Sequence, residues 1–371
     1  MFIKPRAGAI ALVASAALVV VQASPAAAKP FLKRLGPIRT LASMVPTSGP
    51  AKGDQNPYGV SVVPTTAGKL VKGDVLVSNF NDKNNHQGTG SSIVEVSPAG
   101  KTSVFAVVPR PTSTHAVGLT TALVTLRSGF VIVASLPAPG GNSSAARSGA
   151  LTVLDASGHV VSTITAPDIN GPWDMTALDG GSTATLFVTN VLNGTVAARG
   201  RVVHKGTVVR LTLSIPAGGS PQVTSNQVIA SGFAERTDPN ALIIGPTGVG
   251  LGAGGVLYVA DSARSRIAAV PEALTRTTAL GGGGVTVTSG KAINDPLGLA
   301  IAPNGDVITV NGADGNAVET TPGGRQIATR TLVANGAGDL FGLAIAPNNN
   351  GIYFVDDAGS GRAANSLELL R

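Results

Sequence analysis

The chain has 371 residues, 48 of them glycine, with 43% hydrophobic and 13% charged residues, no cysteine and a formal net charge of +7. That composition excludes a disulfide scaffold and a thiolate metal site, and the recurrent apolar bursts exclude a disordered chain. The basic residues are scattered singly and the 13 aromatic residues form no stripe among them, so nucleic acid is not an expected partner.

Residues 1–28 read as a secretory signal. Lys4 and Arg6 form the basic start, Ala7 to Val21 the apolar run, and Ala26-Ala27-Ala28 the small-residue cleavage site before Lys29. The run is short of the roughly 20 residues a spanning helix needs. Cleavage after Ala28 is therefore expected, rather than retention as an anchor. Net charge falls from +7 to +5 as Lys4 and Arg6 leave. No later stretch has 18 uninterrupted apolar residues. The mature chain is expected to be secreted or periplasmic, without a transmembrane segment and monomeric. Residues 29–50 form an N-terminal segment, and 51–371 a single repeat domain.

Within 51–371 one pattern returns six times. It opens at Asn56-Pro-Tyr-Gly59, His115-Ala-Val-Gly118, Gly171-Pro-Trp-Asp174, Asp238-Pro-Asn-Ala241, Asp295-Pro-Leu-Gly298 and Asp339-Leu-Phe-Gly342. Each opening leads into an apolar strand, most clearly Gly298-Leu-Ala-Ile-Ala302, where small and large residues alternate at the period of a strand. A second strand then ends in a small polar residue: Asn79, Ser135, Asn190, Asp261, Asn311 and Asp356. Third strands follow at 92–96, 150–154, 207–213 and 266–270, and fourth strands at 101–107, 160–165 and 325–333.

Six openings with about four strands each predict an all-β fold, a six-bladed β-propeller of four-stranded antiparallel blades. Gly59 and Gly342 are 283 residues apart over five intervals, a period of about 57 residues. That exceeds the roughly 40–45 of a WD40 blade, and the surplus falls in loops at 81–90, 137–148 and 192–205. The sixth unit ends at its third strand, 366–370. The run Ile38 to Val45 upstream has no blade of its own, so it is expected to pair there and close the ring, removing two exposed edges.

Gly255-Val-Leu-Tyr-Val-Ala-Asp-Ser-Ala-Arg-Ser-Arg-Ile267 resembles the NHL-repeat signature, and 294–305 resembles its inner strand. The resemblance covers roughly residues 50–371 and is specific in the last three units. It implies a six-bladed propeller of the superfamily that includes gluconolactonases, paraoxonases, strictosidine synthases and NHL scaffolds. Their functions differ, so the fold assigns none. The metal-dependent members hold an axial cation partly through Asn or Asp just before the inner glycine. Here those slots read Tyr58, Val117, Trp173, Asn240, Leu297 and Phe341. Only Asn240 offers an oxygen, whereas Ca²⁺ takes six or more. No metal or other cofactor is expected, Ca²⁺ being the one considered.

The same slots predict a site. Tyr58, Trp173 and Phe341 would meet at the channel mouth, with Asp174, Asn240 and His115 as polar companions and Asn56, Asp238, Asn294, Asp295 and Asp339 as a frame. Apolar cups with a few converging polar groups are the usual form of a small-molecule site. The alternative is that these aromatics merely fill the axis. No Gly-x-Ser-x-Gly, His-Glu-x-x-His or phosphate loop occurs, so catalytic residues are not identified and enzymatic activity stays open. The expected role is a binding propeller that takes a small molecule, a glycan or a protein on one rim. The alternatives are a divergent hydrolase or lyase with a shifted metal site, and a purely structural surface protein.

Overall fold

The computed structural model describes residues 1, 29–109, 117–357 and 364–371. Residues 2–28 of the expected secretory signal, and His115, lie outside the described residues. Six antiparallel sheets follow one another around a ring. Blade 1 is built from Gln55–Val62, Val75–Asn81, Ser92–Val96 and Thr102–Val107. Blade 2 is Leu119–Thr125, Val131–Ser135, Ala150–Leu154 and Val160–Ile164. Blade 3 is Pro172–Asp179, Thr183–Asn190, Val203–Ser214 and Gln222–Asp238, and it alone carries a fifth strand, Leu242–Ile244.

Blade 4 comprises Pro246–Leu251, Leu257–Asp261, Arg266–Val270 and Val285–Ser289, and blade 5 Pro296–Ile301, Val307–Asn311, Asn316–Thr320 and Gln326–Thr331. Blade 6 takes Leu340–Ile345, Ile352–Asp356 and Ser366–Leu370 from the C-terminus and Ile38–Ser43 from the N-terminus. The closing strand runs from Ile38 opposite Leu370 to Ser43 opposite Ser366, with an irregularity between Thr40 and Ala42. The expected ring closure is thus present. Just upstream, Phe31 and Leu32 are buried against blades 5 and 6, and their N–H groups donate to Glu319 at 2.7 and 2.8 Å. Among the described residues no helix is long and apolar enough to cross a membrane.

Inner strands of neighbouring blades approach at their backbones. A methyl group on Gly342 would fall 2.0 Å from the Tyr58 carbonyl oxygen, on Gly298 2.2 Å from that of Phe341, and on Gly248 2.3 Å from that of Leu297. These glycines are there because no Cβ fits between two blades. Second-strand hydroxyls fasten two of the other joints, between blades 1 and 2 and between blades 3 and 4. Ser78 Oγ accepts from Gly59 N at 3.0 Å and donates to Thr120 O at 3.1 Å. Thr189 Oγ1 accepts from Asp174 N and donates to Thr247 O, both at 3.0 Å.

Two inner strands begin elsewhere than the repeat predicts. In blade 2, four residue steps from Leu119 to Leu123 oppose two from Ser135 to Val133, so the slot falls on Thr121 rather than Val117. In blade 4 the strand opens at Pro246, so the slot is Thr247 rather than Asn240. The stretch Asp238 to Leu242 is the tip of a hairpin closing the outer edge of blade 3.

Replacing Gly342 by Ala is expected to destabilise the fold by roughly 1–3 kcal/mol, since the backbone it meets cannot rotate away. Gly281→Ala, with nothing within 4 Å, serves as the near-neutral control. Urea unfolding midpoints of the two variants check this.

Candidate functional site

The six slot residues Tyr58, Thr121, Trp173, Thr247, Leu297 and Phe341 form a floor across the axis and line a cavity of about 210 Å³. The structure brings the three slot aromatics together. Tyr58 stacks on Phe341 with ring centroids 4.2 Å apart, and Trp173 meets Tyr58 edge-on at 6.3 Å. Phe80, unforeseen in the sequence, stacks on the other side of Tyr58 at 4.4 Å and touches Trp173 at 5.7 Å. Part of the aromatic surface is therefore spent on packing, and the rest faces the cup.

Amide side chains make the wall: Asn56, Asn81, Asn85, Gln87 and Asn240 all line the cup. Asn240 reaches it from the hairpin tip of blade 3. The loop at 82–90 crosses from blade 1 to meet that tip, and Gln87 Nε2 donates to Asn240 O. Asn81 Nδ2 donates to Asn85 Oδ1 at 2.7 Å. The side-chain oxygens of Asn56, Asn81 and Gln87 are buried and receive no hydrogen bond. Three residues of the cup wall thus carry buried acceptors without a donor among the described residues, an arrangement that costs free energy.

Two carboxylates complete the wall, Asp295 and Asp357. Burial pushes Asp295 up to about 6, with Arg236 partly opposing and Asp238 assisting. Burial, with the neighbouring Asp339 and Asp356 charges, pushes Asp357 up to about 6 as well. Burial also raises the Tyr58 phenol, and the Asp357 and Asp295 charges add to the effect. Asp295 and Asn56 both hold left-handed backbone, φ 52° and 58°, immediately before a proline, a conformation that sterics oppose there. Asp238 stands outside this lining. Burial raises it, but the Asn240 N–H and the Arg236 guanidinium outweigh that and hold it below the usual carboxylate range.

Asp174 does not share the cup with Trp173. It is the first residue below the floor and faces a second axial cavity. The polar residues that end the second strands serve the scaffold. Asn79 donates to Met44 O at 2.8 Å, Asn311 to Ala292 O at 2.7 Å, Asn190 accepts from Asn170 N at 3.2 Å, and Asp261 pairs with Arg266 at 2.7 Å.

No protein-family model matches the chain, and no curated protein matches it either. Among solved structures it is similar to regucalcin, a calcium-binding protein, from Agrobacterium tumefaciens, at TM-score 0.53 and 12% identity over 86% of this chain and 91% of that one. A gluconolactonase from Xanthomonas campestris gives TM-score 0.51 and 12% identity over 90% and 88%. A catalytically inactive virginiamycin B lyase from Staphylococcus aureus gives TM-score 0.50 and 13% identity over 87% and 82%. These likenesses establish the six-bladed propeller fold.

Asp295 and Asp357 titrate higher in the folded chain than in the unfolded one, so the native state holds more protons between about pH 4 and 6. Stability from these groups is full at the acid end and is lost as pH rises through 6. Asp295→Asn and Asp357→Asn are each expected to stabilise the fold at pH 8 by roughly 1–2 kcal/mol and to do nothing at pH 4, as read from urea unfolding at both pH values.

Proposed function

We propose that the chain is an exported binding propeller whose cup takes a small, uncharged molecule rich in hydroxyl donors, of about monosaccharide size. The observation that carries this reading is the set of three buried amide oxygens, on the cup residues Asn56, Asn81 and Gln87, that have no donor among the described residues. With Asp295 and Asp357 alongside, the wall is rich in acceptors. A ligand that satisfies it must donate several hydrogen bonds, as a polyol or sugar does. Trp173 and Phe341, which line the cup, supply the apolar floor against which carbon-bound faces rest. Export rests on the N-terminal sequence.

The floor supports a route without an axial cation. Two of its six slots are threonines, and both hydroxyls are already engaged. Thr121 Oγ1 donates to Trp173 O at 2.6 Å, and Thr247 Oγ1 lies 3.1 Å from the carbonyl oxygens of Pro296 and Leu297. The other four slots are aromatic or aliphatic. The floor by itself does not supply the six or more oxygens a Ca²⁺ site needs, and no step is assigned to a metal.

Isothermal titration with a panel of monosaccharides and polyols is expected to find one saturable ligand. Asn56→Ala or Gln87→Ala should then weaken it about 5–100-fold, the cost of unmaking one or two buried hydrogen bonds. Absence of any saturable member, or unchanged affinity in both variants, would refute the reading.

A second reading, a divergent hydrolase or lyase, is favoured by one observation: two carboxylates raised to about 6 flank one cup, the condition suited to proton transfer near neutral pH. Turnover of a lactone and ester panel that falls at least 100-fold in Asp295→Asn or Asp357→Asn would establish it. Equal rates in the variants and wild type would dismiss it.

A further inference from the structure

Below the floor the axis continues as a second cavity of about 570 Å³, lined by the inner strands of all six blades. Its chemistry differs from that of the cup. No asparagine or glutamine lines it, and three of its lining residues are ionisable: Asp174, Arg127 and Asp179. Asp179 ends the inner strand of blade 3 and accepts from Arg127 N at 2.6 Å and Gly181 N at 2.8 Å. Asp174 is the third residue of that strand, five steps away. At about 3.3 Å per step, the carboxylate lies roughly 16 Å from the rim.

Asp174 occupies an unusual place. The equivalent position is Gly59, Ala122, Gly248, Gly298 or Gly342 in the other blades, where neighbouring inner strands leave little or no room for a side chain. In blade 3 a charged side chain is there instead, and it turns into the lumen. Its Oδ1 accepts from the N–H of Met175 at 2.7 Å, and among the described residues its carboxylate takes no other protein hydrogen bond. Asp174 is half-buried and lines the lumen. Burial accordingly pushes it up to about 7, against the pull of the Met175 N–H. A scaffold gains nothing from this: a carboxylate with one short-range partner at the blind end of a channel costs desolvation and returns little.

The rest of the lining tells what sort of molecule would repay that cost. Val60, Leu123, Val249, Leu299, Leu343 and Ile345 contribute apolar surface along the channel. Each inner strand is also the free edge of its sheet, and a free edge presents unpaired carbonyl oxygens. The channel thus offers a deep anionic end, hydrogen-bond acceptors and an apolar wall.

We propose that this lumen is a second binding site, distinct from the cup, for a linear primary amine whose ammonium group reaches Asp174 and whose methylene chain lies along the inner strands. An ammonium group carries three donors and no acceptor, which matches one carboxylate and edge carbonyls. Its charge acts on Asp174 in a setting where water screens poorly. A carboxylate-headed chain of equal length brings like charge to the same end, and an alcohol brings no charge. The rim pair of Arg127 and Asp179 is the other charged feature an entering chain passes.

The test is calorimetric titration of the full mature chain with hexylamine, hexanol and hexanoate. Hexylamine is expected to bind saturably, one molecule per chain, at least tenfold more tightly than hexanol, with hexanoate not binding. Asp174→Asn should remove at least tenfold of that affinity while Asn56→Ala, in the cup, leaves it unchanged. Between pH 8 and 5 the affinity should weaken as Asp174 takes up a proton, approaching tenfold per pH unit below about 7. Ala300→Phe, which fills the channel without touching Asp174, should abolish binding as well, and urea unfolding of both lumen variants reports that they fold. Hexanol binding as tightly as hexylamine, equal affinity in Asp174→Asn, or persistence of binding in Ala300→Phe would each overturn the proposal. Loss of the sugar-binding reading of the cup leaves it standing, because the two sites are probed by different ligands and different variants.

Discussion

The structure depends on one close approach. Six inner strands converge on an axis until the α-carbon of one meets a carbonyl oxygen of the next, at a distance no Cβ tolerates at Gly248, Gly298 and Gly342. That contact fixes the height at which each blade sits relative to its neighbour. It therefore fixes the position of the residue before the glycine, whose carbonyl makes the contact and whose side chain is left to face the axis. The floor of the cup is a direct consequence: its six residues are the ones that the joint between blades places at a single level. Ser78 and Thr189 reinforce two of these joints by bridging an N–H of one inner strand to a carbonyl of the next.

A floor of large side chains divides the axis into two compartments with unlike chemistry. Above it, the first two strands of blade 1, the loop after them and the hairpin tip of blade 3 deliver amides, and the turn entering blade 5 and the turn after the second strand of blade 6 deliver Asp295 and Asp357. Below it, the inner strands themselves set most of the character, with Pro64 and Arg127 of the turns that follow them. The one charged residue well inside the lumen stands where a glycine or alanine stands in the other blades. Function in such a fold is written in the departures from the repeat, while the repeat itself carries the packing.

Closure draws on both ends of the chain. The C-terminal strands leave blade 6 one strand short, and Ile38–Ser43 supplies it in antiparallel register. The residues before that strand are held independently, by burial of Phe31 and Leu32 and by two hydrogen bonds to the carboxylate of Glu319. The ring is thereby joined without a disulfide, in a chain that has no cysteine.

The sequence by itself determined the number of blades, the second strands and the pairing that closes the ring. Those features rest on local alternation and on counting units, and both survive in a single chain read from end to end. It also carried Tyr58, Trp173 and Phe341 as neighbours, because three unambiguous openings shared one slot. It misplaced the slots of blades 2 and 4. The inner strand of blade 2 has an extra residue, and Asp238-Pro-Asn imitates an opening while forming a hairpin tip, with the true opening at Gly245-Pro-Thr-Gly248 a few residues later. Only the tertiary structure decided that Phe80 packs behind the cup's aromatic residues, that Asn81, Gln87 and Asp357 line it, and that Asp174 lies beneath it. Those placements depend on loops meeting across blades and on which side of one backbone contact a side chain emerges, and no periodicity along the chain encodes either.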